Sequence, residues 1–378
     1  MRPIYLDNNA STPVLPEVWE AMRPFAAEHF GNPASSHQFG RRARQALEEA
    51  RETIARCLDA HADEVVFTSG ATEANNLAIH GLAGTTPGSI VVSPIEHPCV
   101  LEPVHALHER GLACRLLNVT SQGIVRLPDE WPDDVRLAAV MLANHETGAI
   151  QPIAEVSHSL AGRAPLHCDA AAAAGKIALS FRRLGVSSLT LSAHKFHGPK
   201  GIGALLLRRG VRLQPLWRGG HQQQGRRPGT EPVFLAVGMA AALERATREL
   251  ERRAAHVADL RRRFLDALRQ LAAPVIVNGP ERDGVPHTLN LSLPGCKADA
   301  LLMALDLAGI ACATGSACSS GSLLPSPVLR AMAVPDDVLR SGLRFSFSHL
   351  NTPEEIDEAA RRIAPIVARA RHAAESES

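Results

Sequence analysis

The sequence lacks the features that mark several classes of protein. No apolar run among its 378 residues approaches the roughly 20 needed to cross a bilayer. Met1-Arg2-Pro3 passes straight into the strand-like Ile4-Tyr5-Leu6-Asp7, without the apolar stretch of a secretory signal. The seven cysteines (Cys57, Cys99, Cys114, Cys168, Cys296, Cys312, Cys318) are odd in number, scattered and without a C-x-x-C pair. That argues against a disulfide framework and a zinc site, so no metal is expected, and it predicts a reducing, cytoplasmic setting. The net charge is only +1, which gives no electrostatic case for a nucleic-acid or membrane partner. The stretch from Arg248 to Arg263 is Arg-rich, but Glu249, Glu251 and Asp259 interleave and predict a solvated helix face. There is no internal repeat and no low-complexity segment.

What is present reads as a globular enzyme. Hydrophobic residues make up 45% of the chain and charged residues 21%, and the length allows two cores. From Glu64 onward short apolar runs alternate with helical patterns. Strands are predicted at Glu64–Phe67, Ile90–Ser93, Cys114–Val119, Leu137–Leu142, Leu166–Asp169, Leu189–Leu191 and Ile202–Leu207. Such alternation predicts an α/β fold with a mostly parallel, doubly wound sheet and a ligand at the carboxyl ends of its strands. Before it, a helix from Glu17 is expected to be disturbed at Pro24, and a second, ending at Leu58, to be capped by Ser36. After it, a long helical region from about Val233 to Leu271 leads into a smaller α+β domain. Its last helix carries a capping box, Thr352-Pro353-Glu354-Glu355, and is expected to fray from His372. The predicted division is a large domain over 14–250 and a small domain over 1–13 and 251–378.

Chemistry concentrates at the strand ends. Leu189 to Leu207 holds Ser192, His194, Lys195, His197 and Lys200 in a turn between two apolar strands. A partly desolvated lysine there suits a Schiff-base role, although such a segment alone is more often a solvated turn. Ser69-Gly70-Ala71-Thr72-Glu73 joins a strand to a helix, and its N–H groups with the Thr72 hydroxyl suit an anion. Plain helix capping would explain it equally well. Asp169 ends a strand, where a carboxylate can hold a pyridinium proton, or cap the turn that follows. His97 follows another strand end and could stack on a ring. Together these four are the parts that pyridoxal phosphate requires. Ala313 to Ser322 is small and polar, which predicts an exposed, mobile Cys318 thiol, unlike Cys168 in its apolar run. Arg344 lies in an otherwise apolar strand, so it should pair either with a substrate carboxylate or with an internal acid.

The motifs YLDNNASTP, GNPASSH, FTSGATEANNLAI, EHPCVL, ANHETGAIQPI, HCDA, SAHKFHGPKGIGAL, RRPGTEP, GSACSSGSLLPSPVL and LRFSFS, in this order, resemble the cysteine desulfurase family. That family belongs to the class V aminotransferases, with the fold type I architecture of pyridoxal phosphate enzymes. The resemblance runs from Tyr5 to about Ile356, and the Cys318 loop is similar to the longer, mobile type. It implies that Lys195 holds the cofactor, Asp169 meets its ring nitrogen, and His97 stacks on the ring. Ala71, Thr72, Ser192 and His194 would bind the phosphate, with His145 near cofactor and substrate. Thr230 would reach the phosphate in a partner subunit, implying a homodimer. Arg344 would take the carboxylate of L-cysteine and Cys318 its sulfur, as a persulfide for a sulfur-acceptor protein or scaffold. Iron–sulfur cluster assembly, tRNA thiolation and a dedicated biosynthesis all remain open as destinations.

Two positions depart from the family pattern. Ala172 stands where a glutamine hydrogen-bonds the cofactor's phenolic oxygen, which implies slower or altered chemistry. His145 replaces an asparagine and keeps a hydrogen-bonding side chain. Ala172 leaves room for a selenocysteine lyase or another C–S lyase on the same scaffold. A catalytically weak sulfur-relay scaffold is the reading from a different class.

Overall fold

The structure is a computed structural model and describes residues 2–315 and 325–377. A short strand β1 (Ile4–Tyr5) precedes helices α1 (Pro16–Ala27) and α2 (Gln38–Cys57). Pro24 does not interrupt α1: it lies inside the helix, and its carbonyl accepts from both Glu28 N and His29 N at 2.9 and 2.8 Å. α2 is capped by His37 rather than Ser36, because the imidazole Nδ1 accepts from Gly40 N, the third helical donor, at 3.3 Å.

The alternating region folds as predicted. Its elements are β2 (Val65–Thr68), α3 (Ala71–Ala83), β3 (Ser89–Val92), α4 (Pro98–Glu109), β4 (Ala113–Leu116), β5 (Val135–Ala139), α5 (Ile153–Leu160), β6 (Leu166–Asp169), α6 (Phe181–Leu184), β7 (Ser188–Ser192) and β8 (Gly203–Leu207). They form a seven-stranded sheet in the order β2-β8-β7-β6-β5-β3-β4. All strands run parallel except β8, which is antiparallel to both neighbours. β6, β7 and β8 are buried at every position, as expected for strands covered on both faces. One face packs on α1, α2, α5 and α7 (Val233–Arg248) through residues such as Leu47, Ile54, Leu191 and Leu243. The other packs on α3 and α4 through Leu77, Val92, Val100 and Leu205.

The remainder builds a second core. The region Val233–Leu271 is two helices, since the backbone breaks at Glu249 between α7 and α8 (Leu250–Leu271). The Glu249 carboxylate then pairs with Arg252 and Arg253, each at 2.9 Å. β9 (Ile276–Val277), β10 (Thr288–Ser292), α9 (Ala298–Leu307), β11 (Ile310–Ala311), α10 (Pro327–Ala331), α11 (Asp336–Leu339), β12 (Gly342–Ser346) and α12 (Pro353–Glu377) follow. β12, β10 and β9 make an antiparallel sheet. Phe264, Leu289, Phe345 and Ile363 fill the core between it and α8 and α12. β1 joins this unit by pairing in parallel with β11. The predicted capping box forms at α12, with Thr352 and Glu355 exchanging backbone-to-side-chain bonds at 3.3 Å. Fraying from His372 is not seen, and the helix continues to Glu377. No helix among the described residues is long and apolar enough to cross a membrane.

Candidate active site

Because β2, β3, β6 and β7 run parallel, their carboxyl ends share one edge of the sheet. That edge borders a cavity of about 540 Å³ lined by Ala71, Thr72, His97, His145, Asp169, Ser192, His194 and Lys195, with Ala172 also in its wall. The volume lies within the usual range for small-molecule sites. Thus eight of the eleven residues singled out from the sequence as site residues meet around one space.

At the end of β2 the chain turns through Ser69-Gly70 into α3, leaving the first N–H groups of a 13-residue helix directed at the cavity edge. Glu73 steadies this turn by accepting from Ser69 N at 2.7 Å while pairing with Arg227 at 2.8 Å. Gly203 on β8 is needed beneath it: a Cβ there would come within 2.7 Å of the Gly70 backbone.

Lys195 sits in the 3₁₀ turn after β7. Its ammonium donates to Asn9 O, and to Ala10 O at 3.3 Å. The N-terminal segment therefore crosses the lysine, and it is tied down by Thr12, whose N and Oγ1 both donate to His194 O at 3.0 and 2.8 Å. Burial, with Lys195 and Lys200 nearby, brings His194 down to about 4 and keeps it neutral. His197 holds a left-handed conformation, φ 69°, fixed by Pro13 O and Ser348 Oγ at 3.0 and 3.2 Å from its ring nitrogens.

Asp169 ends β6 and divides its carboxylate. Oδ1 accepts from Ala171 N at 2.8 Å, so it does cap the turn, while Oδ2 accepts from Asn75 Nδ2 at 2.7 Å. The same amide reaches Cys99 Sγ at 3.0 Å, and that sulfur lies 2.9 Å from His97 Nδ1. His97 is the N-cap of α4. Burial above all, then Lys195 and Arg344, lowers its proton affinity against the opposing pull of Asp169.

The cavity's remaining wall comes from distant chain segments. Asn9 Nδ2 donates to His145 O at 3.0 Å and to Thr288 Oγ1 at 2.8 Å. Both ring nitrogens of His145 are buried without a hydrogen-bond partner among the described residues; Nε2 lies 3.8 Å from Glu146 Oε1. Burial, then the cations around it, pushes His145 well below the usual histidine range, so it is neutral. Glu146 is raised by burial to about 7. Its Oε2 accepts from Ser326 Oγ at 2.5 Å. Arg344 is 2% exposed and takes the internal acid as its partner: Nη2 lies 2.9 Å from Asp7 Oδ1, and Nη1 donates to His145 O at 3.1 Å. It stands behind His145 rather than in the cavity wall. Thr230 lies on an exposed loop outside this cavity. Cys318 lies outside the described residues.

Sequence reasoning passed over Asn9, Asn75, Cys99, Glu146, Lys176 and His287, of which all but Asn75 and Glu146 line the cavity. Asn75 and Cys99 carried a usable signal, each falling on the first turns of a helix that follows a strand end. The others carried none in their local pattern. A lysine, a buried carboxylate, an imidazole and a helix N-terminus around one cavity suit the aldehyde, ring nitrogen, ring face and phosphate of pyridoxal phosphate.

The architecture and this donor set define a fold type I pyridoxal phosphate enzyme. The model of the class V aminotransferase family matches residues 4–359. The cysteine desulfurase IscS of Dictyoglomus turgidum is 42% identical over 365 residues, covering 94% of this chain and 92% of its own. The cysteine desulfurase NifS of Azotobacter vinelandii is 40% identical over 380 residues, with 98% and 94% covered. A solved NifS-like protein superposes with a TM-score of 0.90 at 36% identity, covering 97% of this chain and all of that one. The chain belongs to the class V aminotransferases and, within them, to the cysteine desulfurases. It is a pyridoxal phosphate-dependent enzyme acting on L-cysteine, and these matches favour neither the lyase nor the scaffold reading.

Proposed function

We propose that the residues around the cavity divide the desulfurase reaction as follows. Lys195 holds the cofactor, Asp169 keeps the ring nitrogen protonated, and His97 covers the ring. Ala71, Thr72, Ser192 and His194 hold the phosphate, and Thr230 serves the partner subunit's phosphate in a homodimer. The carrying observation is the convergence of Thr72, His97, Asp169 and Lys195 on one cavity from four strand ends.

Bound pyridoxal phosphate supplies an electron sink that acidifies Cα of cysteine and loosens its Cβ–S bond. Lys195 Nζ would take the Cα proton and later return one. Arg344 receives the substrate carboxylate, which competes with Asp7 for the guanidinium. Neutral His145 fills the wall beside it, offering one donor and one acceptor. The Cys318 thiolate accepts the substrate sulfur, so that L-cysteine and a protein thiol become L-alanine and a protein persulfide. A sulfur-acceptor protein then collects that sulfur. Solved relatives include SspA in complex with cysteine, which supports cysteine as the ligand of this cavity.

We assign residues 14–250 to the cofactor-bearing domain, and 1–13 with 251–378 to the small domain. The second core, which Ile4 and Leu6 join, supports that division. None of the six described cysteines is in a disulfide, which supports a cytoplasmic setting. The test is alanine and persulfide formation from L-cysteine, with cofactor and a reductant supplied, in the protein and in Cys318→Ala. Both products should vanish in the variant. Alanine that persists without a persulfide would overturn the role of Cys318.

A further inference from the structure

We propose that Asn75 and Cys99 are positioning residues that tie the Asp169 carboxylate to the His97 imidazole and fix the His97 proton on Nε2. The inference rests on the assignment of Asp169 and His97 to the cofactor ring made above.

The tie begins behind the cavity. Asn75 is fully buried on α3. His167 Nε2 lies 2.9 Å from Asn75 Oδ1, and His167 Nδ1 lies 2.8 Å from Ser188 Oγ. Burial brings His167 down to about 3, so the ring is neutral and carries one proton. An amide oxygen only accepts, so Nε2 holds that proton and Nδ1 accepts from the serine hydroxyl. The amide faces this way because the Asp169 carboxylate on its other side accepts, which calls for the NH2 group there. Its two N–H bonds then point at Asp169 Oδ2 (2.7 Å) and Cys99 Sγ (3.0 Å).

The second half concerns His97. Its Nδ1 accepts from the backbone N–H of Cys99 at 3.1 Å, and a backbone N–H can only donate. Nδ1 is therefore bare while the ring is neutral, and the proton sits on Nε2. The Cys99 thiol, 2.9 Å from the same lone pair, must be a donor to it. Among the described residues the charges facing His97 are Asp169 from the end of β6, Lys195 from the turn after β7 and Arg344 from β12, with the neutral His145 ring edge-on at 5.1 Å. A cationic His97 would have to put a proton on Nδ1 and break both accepted bonds. The network thus holds His97 as a neutral hydrogen-bond donor through Nε2, oriented by the same amide that anchors the Asp169 carboxylate.

The test uses the holoenzyme with Cys99→Ala, Cys99→Ser, Asn75→Leu and Asp169→Asn. The readouts are the visible spectrum of the bound cofactor against pH, cofactor retention, and the pH profile of kcat/KM. Cys99→Ala removes a donor to neutral His97, so the acid limb should move up by about 0.5 to 1 pH unit. Cys99→Ser, which still offers a donor, should return it toward wild type. Asn75→Leu should weaken cofactor retention about tenfold and alter the spectrum. If Asn75→Leu does not fold, the Cys99 pair decides. A Cys99→Ala profile and spectrum superimposable on wild type, or Cys99→Ser behaving as Cys99→Ala, would overturn the proposal. Asp169→Asn separates the two levels. If it leaves spectrum and retention unchanged, the ring assignment itself fails; if it changes both while the other variants change nothing, only the tie through Asn75 and Cys99 fails.

Discussion

The cavity has two walls of different origin. One is made of strand ends: Thr72, His97, Asp169 and Lys195 each stand within five residues of the end of the strand that carries them. The other, with Asn9 and His145, is held by long-range bonds: Asn9 to His145 across 136 positions and, outside the wall itself, Arg344 to His145 across 199 and to Asp7 across 337. The first wall depends on the parallel sheet alone. The second exists only when the N-terminal segment, the loop after β5 and β12 come together, because each member satisfies buried polar groups of the others. The first wall holds the groups suited to a cofactor.

The comparison can be broken most severely in the strand-end wall. Lys195→Ala should lower alanine formation by at least about 10³-fold, since no other group takes over proton transfer at Cα. Activity within tenfold of wild type would remove Lys195 from that role. Among the residues that support the long-range wall, Arg344→Lys should raise KM for L-cysteine roughly 10²-fold with a smaller effect on kcat, because a lysine cannot present the planar fork. A change confined to kcat would place the carboxylate elsewhere. Gly203→Ala, back in the strand-end wall, should push the Gly70 turn outward and weaken cofactor retention about tenfold. Equilibrium dialysis of the two proteins compares them directly.

The smallest effect sharpens the second wall through pH. Burial raises Glu146 from 4.5 to about 7 in the folded protein. As pH climbs through that window the unfolded chain ionises first, so the folded state loses stability, by an amount on the order of 3 kcal/mol if the full shift is expressed. Glu146→Gln should remove that decline. In denaturant unfolding at pH 5 and pH 8, the variant should therefore gain on the wild type at the higher pH. Equal differences at both values would show that Glu146 titrates normally.

Much of this was written in local pattern. The apolar runs at Leu166–Asp169 and Leu189–Leu191 became fully buried strands, and the Thr352–Glu355 box became a helix start. Pro24 misled because a proline removes only its own N–H, and its carbonyl still found partners. His37 displaced Ser36 because an imidazole that reaches the third N–H caps as a hydroxyl would. The two-residue strand β11 is too short to show a period, and only its pairing with β1 creates it.

The sequence by itself determined the alternating α/β order, the four strand-end groups and the family, since each is encoded within a few residues and repeats along the chain. The tertiary structure alone decided that Arg344 meets Asp7, that Asn9 lies over Lys195 and that Asn75 joins Asp169 to Cys99. Those contacts answer to the cost of leaving a buried donor or acceptor without a partner, and partners are found in space, between residues whose neighbours in the chain say nothing of one another.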